Sequence, residues 1–264
     1  MSKKNPSPNF NQENIVKSIS DSISSGESKS SLACQGKDWE SVIAVLDEAE
    51  HHIGKEISVN SHLNSVMFSD DFNKQYEKTL PLISNYYSDL GANKDLYHAF
   101  KRVKKTHLSE QQQHIVKESL RGFELSGVAL DDNKSARFKE IKQKLSMLSN
   151  KFSKNVLQAT NSWKKTVSVK DLKGFSEAEF SKVRVEKGYQ INLQMPVYID
   201  LMTYADSREL REEVYKAYIS RASDIGITPK KFDNQKVMNE ILQLRSELSK
   251  LVGFSNYAEY SVES

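Results

Sequence analysis

The residues best suited to hold a catalytic metal are the six histidines, and their spacing does not predict a metal site. They are His51, His52, His62, His98, His107 and His114. None lies in an H-E-x-x-H pattern, which puts two imidazoles on one helical turn with a glutamate between them. His107 and His114 are seven residues apart, but a predicted helix start at Ser109 separates them. No catalytic and no metal-binding residue is therefore predicted in this chain.

Sequence patterns for other common chemistries are also missing. The chain contains no G-x-S-x-G, no P-loop and no G-x-G-x-x-G, which removes the commoner hydrolase and nucleotide-binding interpretations. Cys34 is the single cysteine. With no histidine near it in sequence, it is interpreted as incidental rather than as a nucleophile. A single cysteine excludes an intrachain disulfide and suits a reducing compartment.

One polar segment around a glycine and a proline is the candidate for ligand contact. It begins at Ser220-Arg221-Ala222-Ser223-Asp224 and continues past Gly226 and Pro229 to Asp233-Asn234. Loops of this kind often carry binding residues. The candidate contact residues are Arg221, Asp224, Asp233 and Asn234. Helix capping by Asp233 and ordinary loop polarity at Asp224 explain the pattern at least as well, so both interpretations stay open.

Apolar spacing predicts helices over most of the chain, and the clearest begins at Asp132. From Phe138 to Trp163, apolar residues recur at intervals of three and four, which places them on one helical face. This pattern predicts one helix of about 30 residues, roughly 45 Å long. Its apolar face is expected to be the spine of the domain, with Leu145 buried.

Two short segments alternate in the period of a strand instead. They lie at about 165–170 and 189–195, with a short helix between them that Ser176 and Glu179 are spaced to cap. The predicted fold class is therefore mainly α, a multi-helix bundle-like domain with one small two-stranded β element. Residues 1–36 are predicted to be a short helix at about 12–24 plus a flexible Ser-rich segment, and 37–264 the helical domain.

Composition narrows the function classes. The 38 basic and 35 acidic residues nearly cancel, so no basic face for nucleic acid is predicted. No apolar run approaches the roughly 18 residues that cross a bilayer. Lysines near the start are not followed by the apolar region of an export signal. We expect a cytoplasmic protein that binds neither nucleic acid nor membrane.

Several strings in the chain resemble one known family, that of oligopeptidase A and thimet oligopeptidase. They are His62–Val66, Leu120–Gly127, Leu145–Trp163, Met202–Tyr204, Leu210–Glu213, Ser220–Asp224, Asp233–Asn234 and Leu251–Ala258. The match runs in order from roughly residue 38 to 262. Over this range the chain is similar to the amino-terminal half of these zinc metallopeptidases.

The resemblance implies a mostly helical, saddle-shaped peptidase in which short peptides enter a channel between two lobes. This half is expected to supply a wall of that channel. In the family, the zinc ligands and the general base lie downstream, in a His-Glu-Phe-Gly-His segment and a later glutamate. The sequence ends at Ser264 before any of them, so no catalytic residue is carried over, and no cofactor is expected in this chain, although full-length members hold zinc.

Three functions follow as alternatives. The chain is an inactive remnant or recombinant piece of a metalloendopeptidase, one chain of a split peptidase completed by a partner with the catalytic half, or a stand-alone helical peptide-binding or adaptor module. An exposed apolar surface favours the first two, and a smooth polar surface favours the third. The expected partners are short peptides, bound weakly, or the complementary chain.

Overall fold

The computed structural model describes residues 14–67 and 69–263, which form two compact units. Unit 1 comprises the described residues up to Met147 together with those from Gln243 onward, and unit 2 comprises Leu148–Leu242. The first two residues of the helix predicted at about 12–24 lie outside the described residues. Both sides of the predicted boundary at residue 36 belong to unit 1.

Unit 1 is built from helices. They are α1 (Ile15–Ala33), a π-helical turn (Glu40–Ala44) that leads into α2 (Val45–Val66), α3 (Asp70–Gly91), α4 (Lys94–Val103), α5 (Glu110–Leu125), the first half of α6 (Asp132–Ser162), the second half of α10 (Gln235–Leu251) and α11 (Tyr257–Glu263). The predicted capping box at Ser109 and Gln112 is present at the start of α5. A core formed mainly by the π-helical turn, α4 and α5 includes Val42, Leu96, Phe100, Val116 and Phe123.

Helix α1 differs from its sequence-based prediction. It continues through the Ser-rich stretch to Ala33 instead of ending near residue 24. The reason is a buried face that extends past Ile23 through Gly26, Ser30 and Ala33 at helical spacing. These residues are small, so α1 packs closely against α2 and α3. Packing of this kind overrides the weak helix propensity of serine and glycine.

Gly26 lies where α1 packs closely against Ile53 of α2 and Tyr86 of α3. An added Cβ would be 2.5 Å from Ile53 Cδ1 and 2.8 Å from Tyr86 Oη. Gly26→Ala is therefore expected to destabilise unit 1 by about 1 to 3 kcal/mol through overpacking, although alanine alone favours a helix by about 1 kcal/mol. Urea unfolding followed by circular dichroism measures the change.

Gly54 in α2 provides the matched control for this prediction. An added Cβ there meets no atom within 4 Å. Gly54→Ala should therefore raise stability by up to about 1 kcal/mol from helix propensity alone. If both variants changed stability in the same direction and by the same amount, the close packing of α1 would be contradicted.

The long helix predicted from Asp132 is confirmed as α6, with two corrections. Its capping residue is Asp131, whose Oδ1 accepts a hydrogen bond from the Lys134 backbone N–H at 2.9 Å. Leu145 is only partly buried, whereas Ile141 is fully buried on the same helix. The apolar face of α6 in unit 1 is therefore anchored at Ile141 and not at Leu145.

Unit 2 combines a small sheet with helices. After the second half of α6 come β1 (Lys164–Val167), α7 (Glu177–Val183), β2 (Arg184–Val185), β3 (Gly188–Asn192), α8 (Met195–Tyr204), α9 (Arg208–Ile219), a 3-10 turn (Lys230–Phe232) and the first half of α10. The strand order is β1-β3-β2, and both pairings are antiparallel. The fold is thus mainly α, as the sequence predicts, with a sheet of three strands rather than two.

The strands differ from the predicted ones for local reasons. Strand β2 is only two residues long and pairs with β3 through a tight hairpin closed by Gly188 at φ +106°. Strand β1 ends at Val167 because the Ser168 N–H bonds to Asp171 Oδ2 at 2.8 Å and starts a turn. Strand β3 ends at Asn192, and α8 begins at Met195 with a proline in its first turn.

The core of unit 2 joins the sheet to α8 and α9. Its buried members include Val167, Ile191, Leu193, Leu201 and Val214. The capping box predicted for Ser176 and Glu179 is present at the start of α7. Within the described residues of both units, no helix has the length and apolar character needed to cross a membrane.

Candidate functional site

The loop that joins α9 to α10 in unit 2 carries the four residues predicted for ligand contact. It runs from Ser220 to Asn234, and Ala222 within it has φ +55°, the one positive value at a non-glycine among the described residues. Such a conformation is costly for a residue with a Cβ and needs support from its surroundings. The Ala222 N–H donates to Thr228 Oγ1 at 3.1 Å, and its carbonyl accepts from the Asn234 N–H at 2.9 Å. These bonds fix the loop at its two ends.

Arg221 lies against an aromatic surface formed by α8 and α9. Its guanidinium carbon is 3.7 Å from the ring centroid of Tyr218. Tyr218 in turn stacks on Tyr198, with centroids 4.0 Å apart and ring planes inclined by 20°. Arg221 Nη1 donates to the Tyr218 carbonyl oxygen, near the carboxyl end of α9. The guanidinium is therefore held over the outer ring of a stack of two tyrosines.

Electrostatics around this stack are shaped by burial and by neighbouring hydroxyls. Burial raises the pKa of Tyr198, and the nearby Tyr215 and Tyr218 raise it further, while Arg221 opposes the rise. Tyr198 therefore stays protonated at neutral pH and keeps its hydroxyl as a hydrogen-bond donor. Tyr215, which lies near Tyr198, is 45 % exposed.

Asn234 is buried, and both ends of its amide are used within unit 2. It is 2 % exposed. Its Oδ1 accepts from Asn155 Nδ2 at 2.8 Å, and its Nδ2 donates to the Phe152 carbonyl at 3.1 Å. Asn155 and Phe152 belong to α6, so this network ties the start of α10 to the end of α6. Asn234 acts here by holding the loop.

The two candidate carboxylates have different surroundings. Asp233 Oδ1 accepts from the Gln235 N–H at 2.9 Å, which satisfies a donor in the first turn of α10, as the capping interpretation expects. Asp224 is exposed, and its backbone carbonyl accepts a hydrogen bond from Lys230 Nζ. Arg221 and Asp224 are thus the two candidates whose side chains reach the surface without serving the hydrogen-bond network of the loop.

An open groove lies beside the buried end of this loop. Its volume is about 460 Å³, and it is lined by Asn155, Gln158, Asn161, Ser162, Lys231 and Phe232. Most of these side chains are polar. The groove suits hydrogen bonding to a polar chain better than burial of an apolar ligand.

The described residues do not fit a catalytic zinc. Zinc needs three or more His, Cys, Asp or Glu side chains that converge on one point, and the described part of the chain contains no such group. His51 and His52 are neighbours on α2, with ring centroids 5.8 Å apart and nearly perpendicular planes. No catalytic step through a metal can be derived from these residues.

We predict that Asn234→Ala destabilises unit 2 by about 1 to 3 kcal/mol, because it leaves the buried Asn155 amide without its acceptor. The measurement is urea unfolding in a Trp39→Phe background. There the fluorescence of Trp163, which packs against the core of unit 2, reports on this unit alone.

Asp224→Ala is the control, because this carboxylate is exposed, and the expected change is within about 0.5 kcal/mol. A double mutant cycle with Asn155→Ala isolates the amide pair. Equal effects of Asn234→Ala and Asp224→Ala would show that the network does not stabilise the loop.

Sequence signals for the tyrosines are visible only in part. Tyr215, Tyr218 and Arg221 follow each other at intervals of three, which places them on one side of a helix and its extension. Tyr198 lies 20 residues earlier and reaches Tyr218 only because α8 packs against α9. Nothing in the local sequence around Tyr198 indicates that contact.

Comparison with protein families gives two matches. Residues 13–135 match the family described as Neurolysin/Thimet oligopeptidase, N-terminal domain. Residues 201–264, which include the loop with Arg221, match the family described as Peptidase family M3. The first match covers the amino-terminal part of the chain, and the second covers its carboxy-terminal part.

Individual relatives give a consistent result. The chain is 41 % identical to oligopeptidase A of Salmonella typhimurium over 85 % of its length, and 42 % identical to oligopeptidase A of Escherichia coli over 83 %. It is 34 % identical to an Arabidopsis thaliana protein named "Probable cytosolic oligopeptidase A" over 85 % of its length. The aligned region covers 35 %, 34 % and 34 % of these proteins, so the chain spans about a third of the length of the curated relatives it matches.

Proposed function

Because this chain belongs to peptidase family M3, we propose that it forms the amino-terminal, substrate-channel wall of a zinc-dependent oligopeptidase acting on short peptides. The observation that carries the proposal is the identity of 41 to 42 % with two bacterial oligopeptidases A over more than four fifths of the chain. The helical fold is consistent with this assignment. A fold alone would not support an activity, since one fold hosts many functions.

In this proposal the chain contributes binding surface and not the reacting groups. The zinc of the relatives would polarise the scissile carbonyl of the peptide and activate a water. Its ligands would be residues outside these 264. The contribution of this chain is to position the peptide, and Arg221 and Asp224 are the side chains that we assign to peptide contact.

Exposed apolar side chains favour a peptidase component over a stand-alone adaptor. Seven in unit 2 are more than half exposed, and the three most exposed are Ile225 at 82 %, Ile227 at 63 % and Leu242 at 62 %. Ile225 and Ile227 are two residues apart in the loop between α9 and α10, and exposed apolar residues that are contiguous mark contact sites. They support a surface that is covered in the complete peptidase, either by the rest of one polypeptide or by the second chain of a split enzyme.

The proposed partners are short peptides, bound weakly, and the polypeptide with the catalytic half. A wall without its facing lobe leaves a peptide half solvated, whereas good pockets bury about 70 to 90 % of their ligand. Submicromolar binding of an 8 to 15 residue peptide would instead favour the adaptor.

We also propose a cytoplasmic location, without membrane or nucleic-acid binding. The single cysteine, the nearly balanced charge and the cytosolic relative support it. Fractionation of cells that express the protein tests this location.

Peptide cleavage tests the proposed function. The purified chain should not cleave a short peptide, and a second polypeptide with the H-E-x-x-H segment should restore cleavage. Recovery of activity that depends on both polypeptides is the result that supports the proposal.

A further inference from the structure

Arg221 is a cation without an acidic partner among the described residues. Its one hydrogen bond there is the bond from Nη1 to the Tyr218 carbonyl, and its Nε is buried without an acceptor. Arg137 in unit 1 shows the contrast, since it holds Glu247 with two bonds of 2.6 and 2.8 Å. A guanidinium carries five donors and is always charged. Arg221 therefore retains hydrogen-bonding capacity that unit 2 does not use.

The stack of tyrosines holds this cation in a fixed orientation. The guanidinium lies 3.7 Å from the Tyr218 centroid, and Tyr218 is itself stacked on Tyr198. These tyrosines pack against the core of unit 2. Because the arginine is already ordered, an anion that binds it avoids much of the side-chain entropy cost that weakens exposed ion pairs. The rings also lower the local dielectric, which strengthens a charged hydrogen bond.

The charge around Arg221 selects a monoanion. The loop from Ser220 to Asn234 carries three cations and two carboxylates, a net charge of +1; they are Arg221, Lys230, Lys231, Asp224 and Asp233. A single unpaired guanidinium matches one carboxylate, whose planar oxygens fit its geometry. A phosphate with nearly two negative charges would need more positive charge. Tyr215 is exposed and, like Arg221, lies near Tyr198, so its ring offers a surface for the chain that bears the carboxylate.

We infer that Arg221, together with Tyr198, Tyr215 and Tyr218, binds the terminal carboxylate of a peptide. Because Nε is buried, the carboxylate accepts hydrogen bonds from the Nη1 and Nη2 groups, and the residue before it packs against the tyrosine rings. The choice of a peptide as the source of the carboxylate rests on the proposed function. An acidic side chain of another polypeptide is the other source of the same chemistry.

The test observes Arg221 directly in the ¹⁵N-labelled chain by nuclear magnetic resonance. The Arg221 Nε–Hε signal is assigned by its loss in Arg221→Lys. The probes are acetyl-Ala-Phe with a free carboxylate, acetyl-Ala-Phe-amide and inorganic phosphate. We expect a saturable shift with the acid at a Kd of about 1 mM, near −4 kcal/mol. The amide and phosphate should bind at least about tenfold more weakly.

Variants test whether binding of the acid depends on Arg221 itself or on surface charge in general. The backbone amide signal of Ala222 reports binding in each variant. Arg221→Lys should weaken binding of the acid at least about fivefold, because lysine is a point charge without the planar fork. Tyr218→Leu should weaken it as well, since it removes the support of the guanidinium. Arg208→Lys, at an exposed arginine at the start of α9, is the matched control and should leave the Kd unchanged.

Two results would overturn the inference, namely equal binding of acid and amide, or an unchanged Kd in Arg221→Lys. If the bound carboxylate came from an acidic side chain, acetyl-Asp-amide would bind more tightly than acetyl-Ala-Phe. That result would overturn the assignment to a terminal carboxylate. The titration involves no cleavage. A failure here thus contradicts the carboxylate site alone, whereas failure of two polypeptides to recover activity contradicts the proposed function alone.

Discussion

Replacing Ile141 by alanine is expected to lower the free energy of unfolding of unit 1 by about 2 to 5 kcal/mol, the range for removing a large buried side chain. Ile141 is fully buried on α6, so the substitution removes apolar contacts and leaves a cavity. Urea unfolding in a Trp163→Phe background measures the change. In that background the fluorescence of Trp39, which packs against the core of unit 1, reports on this unit.

Two substitutions on the same helix calibrate this result. Met147 is 48 % exposed, so Met147→Ala should stay within about 0.5 kcal/mol. Leu145 is partly buried, and Leu145→Ala should fall between the other two variants. An effect of Ile141→Ala no larger than that of Met147→Ala would mean that this face of α6 is not packed as the structure shows.

Strong periodic patterns in the sequence were sufficient to predict the long elements. Helix α6 follows from spacings of three and four maintained over seven turns, and such a run has few competing interpretations. Its exact start was missed by one residue because Asp131 and Asp132 are adjacent and chemically equivalent as caps. The capping boxes at Ser109 and Ser176 were found because two side chains at a fixed spacing bond to each other's backbone.

Elements that form only because of packing cannot be predicted from local sequence patterns. The second half of α1 looks like a flexible serine-rich stretch because serine and glycine have weak helix propensity. It becomes a helix because Gly26 and Ser30 are small enough to be buried against other helices. Strand β2 has two residues, too few for an alternating pattern, and it exists only through pairing with β3.

The candidate site was predicted as a polar loop, and its internal organisation came from the structure. In the sequence, Arg221 and Asn234 are polar residues near a glycine and a proline, and this local pattern treats them alike. It does not show that Asn234 is 2 % exposed and holds α6, while Arg221 is stacked on Tyr218. Burial and stacking arise between elements far apart in sequence, so local patterns do not encode them.

The purified chain is expected to hydrolyse no peptide, with or without added zinc. Uncatalysed amide hydrolysis is extremely slow, and a zinc peptidase overcomes this with a metal-bound water and a carboxylate base. The sequence has no H-E-x-x-H, and no group of metal-binding side chains converges in the described part of the chain. We therefore expect the chain to give no hydrolysis above the uncatalysed rate under conditions in which an active oligopeptidase cleaves the peptide.

A second polypeptide should change that outcome if the proposal is correct. The most direct choice is the part of the Escherichia coli relative that follows the region aligned with this chain. At 42 % identity in the aligned region, the surfaces that join the two parts are expected to be similar enough for docking. The matched control is the same polypeptide with the glutamate of its H-E-x-x-H replaced by glutamine.

The most direct measurement of the central claim is cleavage of a quenched fluorescent peptide of about 8 to 15 residues, a size typical of the short peptides proposed as substrates. The chain alone, the second polypeptide alone and the mixture with the Glu→Gln control are each expected to be inactive. The mixture with the unaltered polypeptide is expected to cleave the peptide and to lose this activity to a chelator. Chelator-sensitive cleavage by the 264-residue chain alone, retained through removal of contaminating peptidases, would contradict the claim that this chain supplies a channel wall without the catalytic residues.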